Sequence, residues 1–203
     1  MKTILIALAL CSATASFAQI EKGRSYLTGQ IGGSSSNTTY DTPSNSGIEK
    51  QRAYNVSAGY GYLLAGKWAV GLSFNASGNK ALYNNNTRDQ SMGYGISPYV
   101  RRYFSIAEKF YVYLDGGLGY TQTKSTFKVP GNTTDTHIKA ASVFITPGVT
   151  YFLSDRFALN ASFGSLYFRN SKVTGTSQAG YHQKDFYANF ALNAIGFGAS
   201  VFF

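Results

Sequence analysis

Two histidines carry the clearest potential for proton transfer in this chain. His137 sits in Thr134-Asp-Thr-His-Ile138 and His182 in Gly180-Tyr-His-Gln-Lys184, with Asp135 and Asp185 close in sequence. A carboxylate that orients an imidazole beside a serine hydroxyl is the arrangement used in nucleophilic catalysis. Neither segment contains a nucleophile motif, and both histidines also read as solvated residues of polar connections. A second constellation is electrostatic. Arg101 and Asp115 fall in consecutive alternating segments, with Tyr99, Tyr111 and Tyr113 on the same phase. An ion pair ringed by phenols inside a narrow space would plug it or gate it. Once buried, such a pair is costly to break, by roughly 3–5 kcal/mol, because the surviving partner is left uncompensated. There is no metal-ligand spacing, nucleotide loop or cofactor motif, so no catalytic residue, metal or cofactor is assigned.

The surrounding composition limits what positions these residues. The chain has 203 residues with 18 Lys+Arg against 9 Asp+Glu, a formal charge of +9 on only 13% charged residues, with 16 Tyr, 15 Phe and 22 Gly. Few charges among many aromatics exclude a disordered tail. The cations are scattered singly rather than gathered on one element, which argues against nucleic acid. The N-terminus has one early cation, Lys2, an apolar run from Ile4 to Cys11, and small residues Ser16 and Ala18 around Phe17. That is the pattern of a cleaved secretory signal peptide over residues 1–18, followed by a single domain over 19–203. A lipidated Cys11 would need a small residue where Leu10 stands.

Beyond Ala18 no apolar run approaches the length of a membrane helix, and the chain alternates with a period of two. Phe157, Leu159, Ala161 and Phe163 oppose Ala158, Asn160, Ser162 and Gly164. Trp68, Val70, Leu72 and Phe74 oppose Ala69, Gly71, Ser73 and Asn75; Met92, Tyr94, Ile96, Pro98 and Val100 oppose Gly93, Gly95, Ser97, Tyr99 and Arg101. Eight such strands follow, the first, around Tyr26 to Gly33, being the least distinct. Phe144 and Phe152 stand on the polar phase, and the last strand changes phase once, which a bulge near Ala194 would reconcile. Short connections at 63–67, 105–109 and 153–156 alternate with long polar ones at 34–51, 77–91, 122–139 and 170–184. Strands of about 9–11 residues joined in this way are what a membrane barrel requires.

The face opposite the apolar one decides between a soluble and a membrane barrel. It carries Gly, Ser, Ala, Asn and Tyr and almost no Lys or Glu, so the apolar face is read as meeting lipid and the small polar face as filling a lumen. Aromatics are expected in two belts. One holds Tyr60, Tyr62, Trp68, Phe104, Phe110, Tyr151 and Phe157; the other holds Tyr54, Tyr94, Tyr120, Tyr167 and Phe186. The fold class is therefore all-β, a single eight-stranded antiparallel transmembrane up-and-down barrel. An eight-stranded barrel holds side chains and little else.

Ser97-Pro-Tyr-Val-Arg-Arg-Tyr-Phe104, the run from Pro147 to Leu159, and the ending Gly198-Ala-Ser-Val-Phe-Phe203 resemble the small outer-membrane β-barrels of Gram-negative bacteria. In size the chain is similar to OmpX and to the membrane domain of OmpA; in texture it is similar to the porin-family barrels of Bacteroidetes. The resemblance implies a bacterial outer-membrane location and a structural or surface-interaction role through four polar outer connections. A narrow porin and a lipid-modifying enzyme are the alternatives. Phe203, Val201, Ala199 and Phe197 resemble the terminal signal by which the barrel assembly machinery pairs with its clients, after periplasmic chaperones have delivered them. The chain ends at that signal, so no periplasmic domain of the OmpA kind is expected. The four outer connections hold ten Lys or Arg, among them Lys50, Lys80, Arg88, Lys128, Lys139, Lys172 and Lys184, against five acids, a balance of +5. Lipopolysaccharide is one expected counter-surface and plain solvation of the connections the other reading. Oligomeric state is not legible.

Overall fold

The computed structural model describes residues 20–42, 45–83, 87–175, 180–190 and 195–203, with side chains described outside 39–48. The expected signal peptide with Cys11 lies outside the described residues, as does the bulge expected near Ala194. The alternating runs form ten strand segments: β1 (Ser25–Thr42), β2 (Asn45–Leu63), β3 (Trp68–Leu82), β4 (Arg88–Ser105), β5 (Phe110–Val129), β6 (Asn132–Phe152), β7 (Phe157–Phe163), β8 (Ser165–Gly175), β9 (Tyr181–Asn189) and β10 (Ile195–Phe202). They build eight staves, with β7 and β8 sharing the seventh position and β9 and β10 the eighth. Every stave pairs antiparallel with its neighbours in sequence, and Tyr26↔Phe202 through Ile31↔Phe197 joins the last to the first. The result is a closed up-and-down barrel. Beyond Ile31, among the described residues, β1 pairs with β2 alone and β9 with β8 alone.

The barrel is inside out relative to a soluble one. Leu27, Phe74, Met92, Leu118, Val143 and Phe197 are each more than half exposed on the outer face, whereas Tyr26, Tyr103, Tyr113, Phe152 and Phe202 are buried in the lumen. At the short-turn rim Tyr60, Tyr62, Trp68, Phe104, Tyr151 and Phe157 stand outward, and Tyr54, Tyr94, Tyr120 and Phe186 stand outward on the far side. Phe110 is partly buried. Arg102, also outward, stacks its guanidinium 4.9 Å from the Trp68 ring and donates to the Gly66 carbonyl of the 3-10 turn Ala65–Lys67.

Two expectations are corrected. The polar segments read as long loops are mostly strand: the ladders continue to Thr42↔Asn45, Leu82↔Arg88, Val129↔Asn132 and Val173↔Tyr181. Uninterrupted staves consequently run from 15 residues in β3 to 21 in β6, rather than 9–11. Outside lipid both faces of a strand are polar, so alternation no longer marks it, while Thr and Ser still suit an extended, paired backbone. Second, the seventh stave is broken by a bulge. Gly148 pairs with Ser162 and Ile145 with Leu166, so two residues of β6 face three of the seventh stave. Gly164 takes the extra place at φ 66°, a conformation open to glycine at little cost. The bulge moves the outward phase from odd residues to even ones. Tyr167, expected in the outer belt, instead turns inward and stacks on Tyr187 at 5.2 Å.

Candidate functional site: the lumenal plug

Glycines on one strand make room for aromatic rings on the next. Tyr26 lies directly opposite Gly61, Tyr99 opposite Gly71, and Tyr113 opposite Gly148. A Cβ at any of these glycines would run into the facing ring. The rings therefore lie flat across the barrel wall and leave a space at its centre, which the guanidinium of Arg101 fills. Arg101 is 4% exposed and sits directly opposite Asp115. Its Nε donates to Oδ1 at 2.6 Å and its Nη2 to Oδ2 at 2.8 Å, a bidentate pair. Nη1 donates to the Tyr103 hydroxyl at 3.2 Å. The guanidinium carbon lies 3.9 Å from the centroid of Tyr113 and 5.5–5.8 Å from those of Tyr103, Tyr99 and Tyr26. The Tyr26 and Tyr99 hydroxyls are 3.0 Å apart. A buried charge is tolerated on these terms because an opposite charge, a hydroxyl and several π-faces replace its hydration.

Below the pair, towards the short-turn rim, Tyr103, Tyr111, Phe152, Phe202 and Tyr26 form a continuous aromatic chain with centroids 5.0–6.3 Å apart. Beside it Thr150 Oγ1 donates to Asn160 Oδ1 at 2.8 Å, and Asn160 Nδ2 donates to Ser200 Oγ at 2.7 Å. This network ties three staves together with each amide atom satisfied. Above the plug, a cavity of about 670 Å³ is lined by Gln30, Asn55, Asn75, Ser77, Asn189 and other neutral residues, with no charged residue among those described.

Of the residues expected at this site, Arg101, Asp115, Tyr99 and Tyr113 are brought together. Tyr111 lies one layer nearer the short-turn rim, where it packs edge-on to Tyr103 at 6.3 Å and to Phe152 at 5.6 Å. Its expected place alongside Arg101 is thereby corrected; Tyr103 provides the phenol that accepts from the guanidinium. Sequence reasoning also missed Tyr26. Tyr103 shares the phase of Tyr99 and Arg101 and was within reach of the same alternation, whereas Tyr26 falls in the stave whose pattern is weakest.

Of the remaining candidates, His137 and Asp135 share the outer face of β6, whereas the other pair is split. His182 is on the outer face of β9, while Asp185, one residue out of phase with it, faces inward and accepts from Gln183 Nε2 at 2.8 Å. Asp135 is held by Thr126 Oγ1 at 2.7 Å and lies 2.9 Å from Lys124 Nζ. No constellation of imidazole, carboxylate and serine forms around either histidine among the described residues, and no group of metal-ligating side chains forms there. Phe197, Ala199, Val201 and Phe203 are exposed along the outer face of the closing stave, and Phe203 exchanges backbone hydrogen bonds with Ser25 at 2.9 Å in each direction. Lys50, Lys80, Arg88, Lys128, Lys139, Lys172 and Lys184 are all exposed, on strands rather than loops.

The Thr126 hydroxyl, and after it Lys124, hold the Asp135 carboxyl below its ordinary value. A carboxylate depressed in the folded state stabilises the fold above the ordinary carboxylate range, and that contribution is lost as pH falls through the folded value. Melting curves should therefore show a small acid-side loss below about pH 4. The Asp135→Asn variant should lack it, and an unchanged acid slope in the variant would reject the assignment.

A closed barrel with an apolar outer band, two aromatic belts and a filled lumen is an integral outer-membrane barrel in its architecture. Over residues 3–199 the chain matches the family described as the outer membrane protein beta-barrel domain, and it belongs to that family. The family is one of the bacterial outer membrane. No curated protein matches the sequence. Among solved structures, the outer membrane protein OprG from Pseudomonas aeruginosa aligns with TM-score 0.58 at 11% identity, covering 93% of this chain and 99% of that one. A major outer membrane protein from Thermus thermophilus aligns with TM-score 0.50 at 11% identity, covering 89% and 99%. Ail, the attachment invasion locus protein of Yersinia pestis, aligns with TM-score 0.49 at 17% identity, covering 90% and 100%. At these identities the first two likenesses are of fold alone.

Proposed function

We propose that this protein is a plugged outer-membrane barrel that does not conduct, and that it works through the four paired hairpins it extends beyond the membrane, as a structural element and interaction surface. The observation that carries this reading is the bidentate Arg101–Asp115 pair, closed in by four tyrosines and floored by an aromatic layer. Residues 1–18 direct export and are removed, and the exposed terminal row ending at Phe203 is what the assembly machinery engages.

Liposome swelling tests the central point. Vesicles carrying the folded barrel should admit glucose no faster than protein-free vesicles. Influx at rates typical of a porin would establish the second reading, a narrow channel, which the neutral cavity of about 670 Å³ above the plug favours. A lipid-modifying enzyme finds less support, since His182 and Asp185 lie on opposite faces of β9, and the residues directly opposite His137 and Asp135 on the outer face of β6 are Lys124, Thr174 and Thr126 rather than a serine.

A further inference from the structure

Strand alternation continues past the lipid-facing rows, so the face of each outer charge follows from its place in the ladder. Nine of the ten cations of the outer segments lie exposed on the outer face, and Arg169 alone turns inward. Three of the four acids with described side chains do the reverse. Glu49, Asp89 and Asp185 share the phase of the lumenal residues; the outward Asp135 is already engaged by Lys124. Solvation alone would sort neither sign, because both faces meet water beyond the membrane.

The cations are moreover placed directly against one another. Arg52 pairs with Lys80, Arg88 with Lys128, and Lys139 with Lys172; the His182 imidazole stands opposite Lys172 on the far side. Like charges directly opposite on one face of a sheet are destabilising. Neither the Lys139–Lys172–His182 row nor the outer-face rows on either side of it hold an acid among the described residues, so an anion from outside the chain would relieve the repulsion between the two lysines. The level of the row identifies where that anion comes from. Leu118, Val143, Phe168 and Phe186 are mutually opposite and form a lipid-facing row across the same four staves. Gln122, Lys139, Lys172 and His182 form the row four residues further out. At about 3.3 Å per residue, the cations stand about 13 Å along the strands from the apolar row. On the outer face they stand sideways to the barrel axis, at a height that suits contact with lipid headgroups.

We propose that the Lys139–Lys172–His182 ladder on the outer face of β6, β8 and β9 is a binding site for a phosphorylated lipid of the outer leaflet, its phosphate seated between the two lysines. The proposal rests on the membrane reading and adds the partner's chemistry and its place on one side of the barrel.

The test uses the folded barrel in phosphatidylcholine vesicles, with and without lipopolysaccharide, and follows thermal unfolding by the heat-dependent gel shift. Lipopolysaccharide should raise the wild-type midpoint, and Lys139→Gln/Lys172→Gln should lose more than half of that rise. A control pair at the opposite rim, Lys67→Gln/Lys109→Gln, should keep it. Dephosphorylated lipopolysaccharide and inorganic phosphate with plain vesicles should give no rise. An equal rise in the ladder variant, or a rise reproduced by inorganic phosphate, would overturn the proposal. A wild-type chain that shows no gel shift in plain vesicles would instead contradict the barrel reading, so the two failures are distinguishable.

Discussion

Arg101→Ala is expected to lower the stability of the folded barrel by about 3–5 kcal/mol, the cost of leaving a buried partner uncompensated. Asp115, with its side chain only 14% exposed, would lose both of its short contacts, and four tyrosine faces would border an empty space. The loss should appear as a lower urea midpoint in lipid vesicles. The matched apolar replacement, Arg101→Met with Asp115→Leu, should cost much less than the single change, because it removes the unpaired charge along with the pair. A single variant with wild-type stability would show that the pair does not hold the lumen together.

Gly148→Val is expected to rank next, at about 3 kcal/mol, the upper end of what overpacking costs. Its Cβ would meet the Tyr113 ring, and the backbone carbonyl of Ala161 lies close on the other side. Yielding to it would shift the ring from its position 3.9 Å from the Arg101 guanidinium. Adding Tyr113→Ala to Gly148→Val should recover part of the loss, since the collision is then gone, although the cation loses its nearest aromatic face. Urea midpoints of the single and double variants measure this directly, and a double variant no more stable than Gly148→Val alone would reject the steric account.

The fold was legible because the bilayer imposes a strict period. Inside the hydrocarbon each outward position must be apolar and each inward one small or polar, so Met92 to Arg101 and Phe157 to Phe163 announce both strand and face. Beyond the membrane that constraint ends. Residues 122–139 read as a loop although Gln122↔Lys139 to Val129↔Asn132 is one unbroken ladder. The bulge at Gly164 was hidden because it displaces the phase by a single residue, and the displacement at Tyr167 became visible only once the partner stave was known. The plug was half legible. Arg101 and Asp115 stood out as charges on a nearly uncharged phase, and their pairing followed from consecutive antiparallel staves. Tyr111 was misplaced because alternation gives the face of a residue and not its height, and height depends on register. The pairing of Tyr26, Tyr99 and Tyr113 with glycines is likewise a property of register, invisible until the strands are aligned.

The central claim is that the lumen is closed by Arg101, Asp115 and their tyrosines. Single-channel recording of the folded barrel in a planar bilayer tests it most directly, with heat modifiability confirming that the sample is folded. A silent baseline under applied voltage is the predicted result. Stable, discrete openings from the wild-type barrel would contradict it.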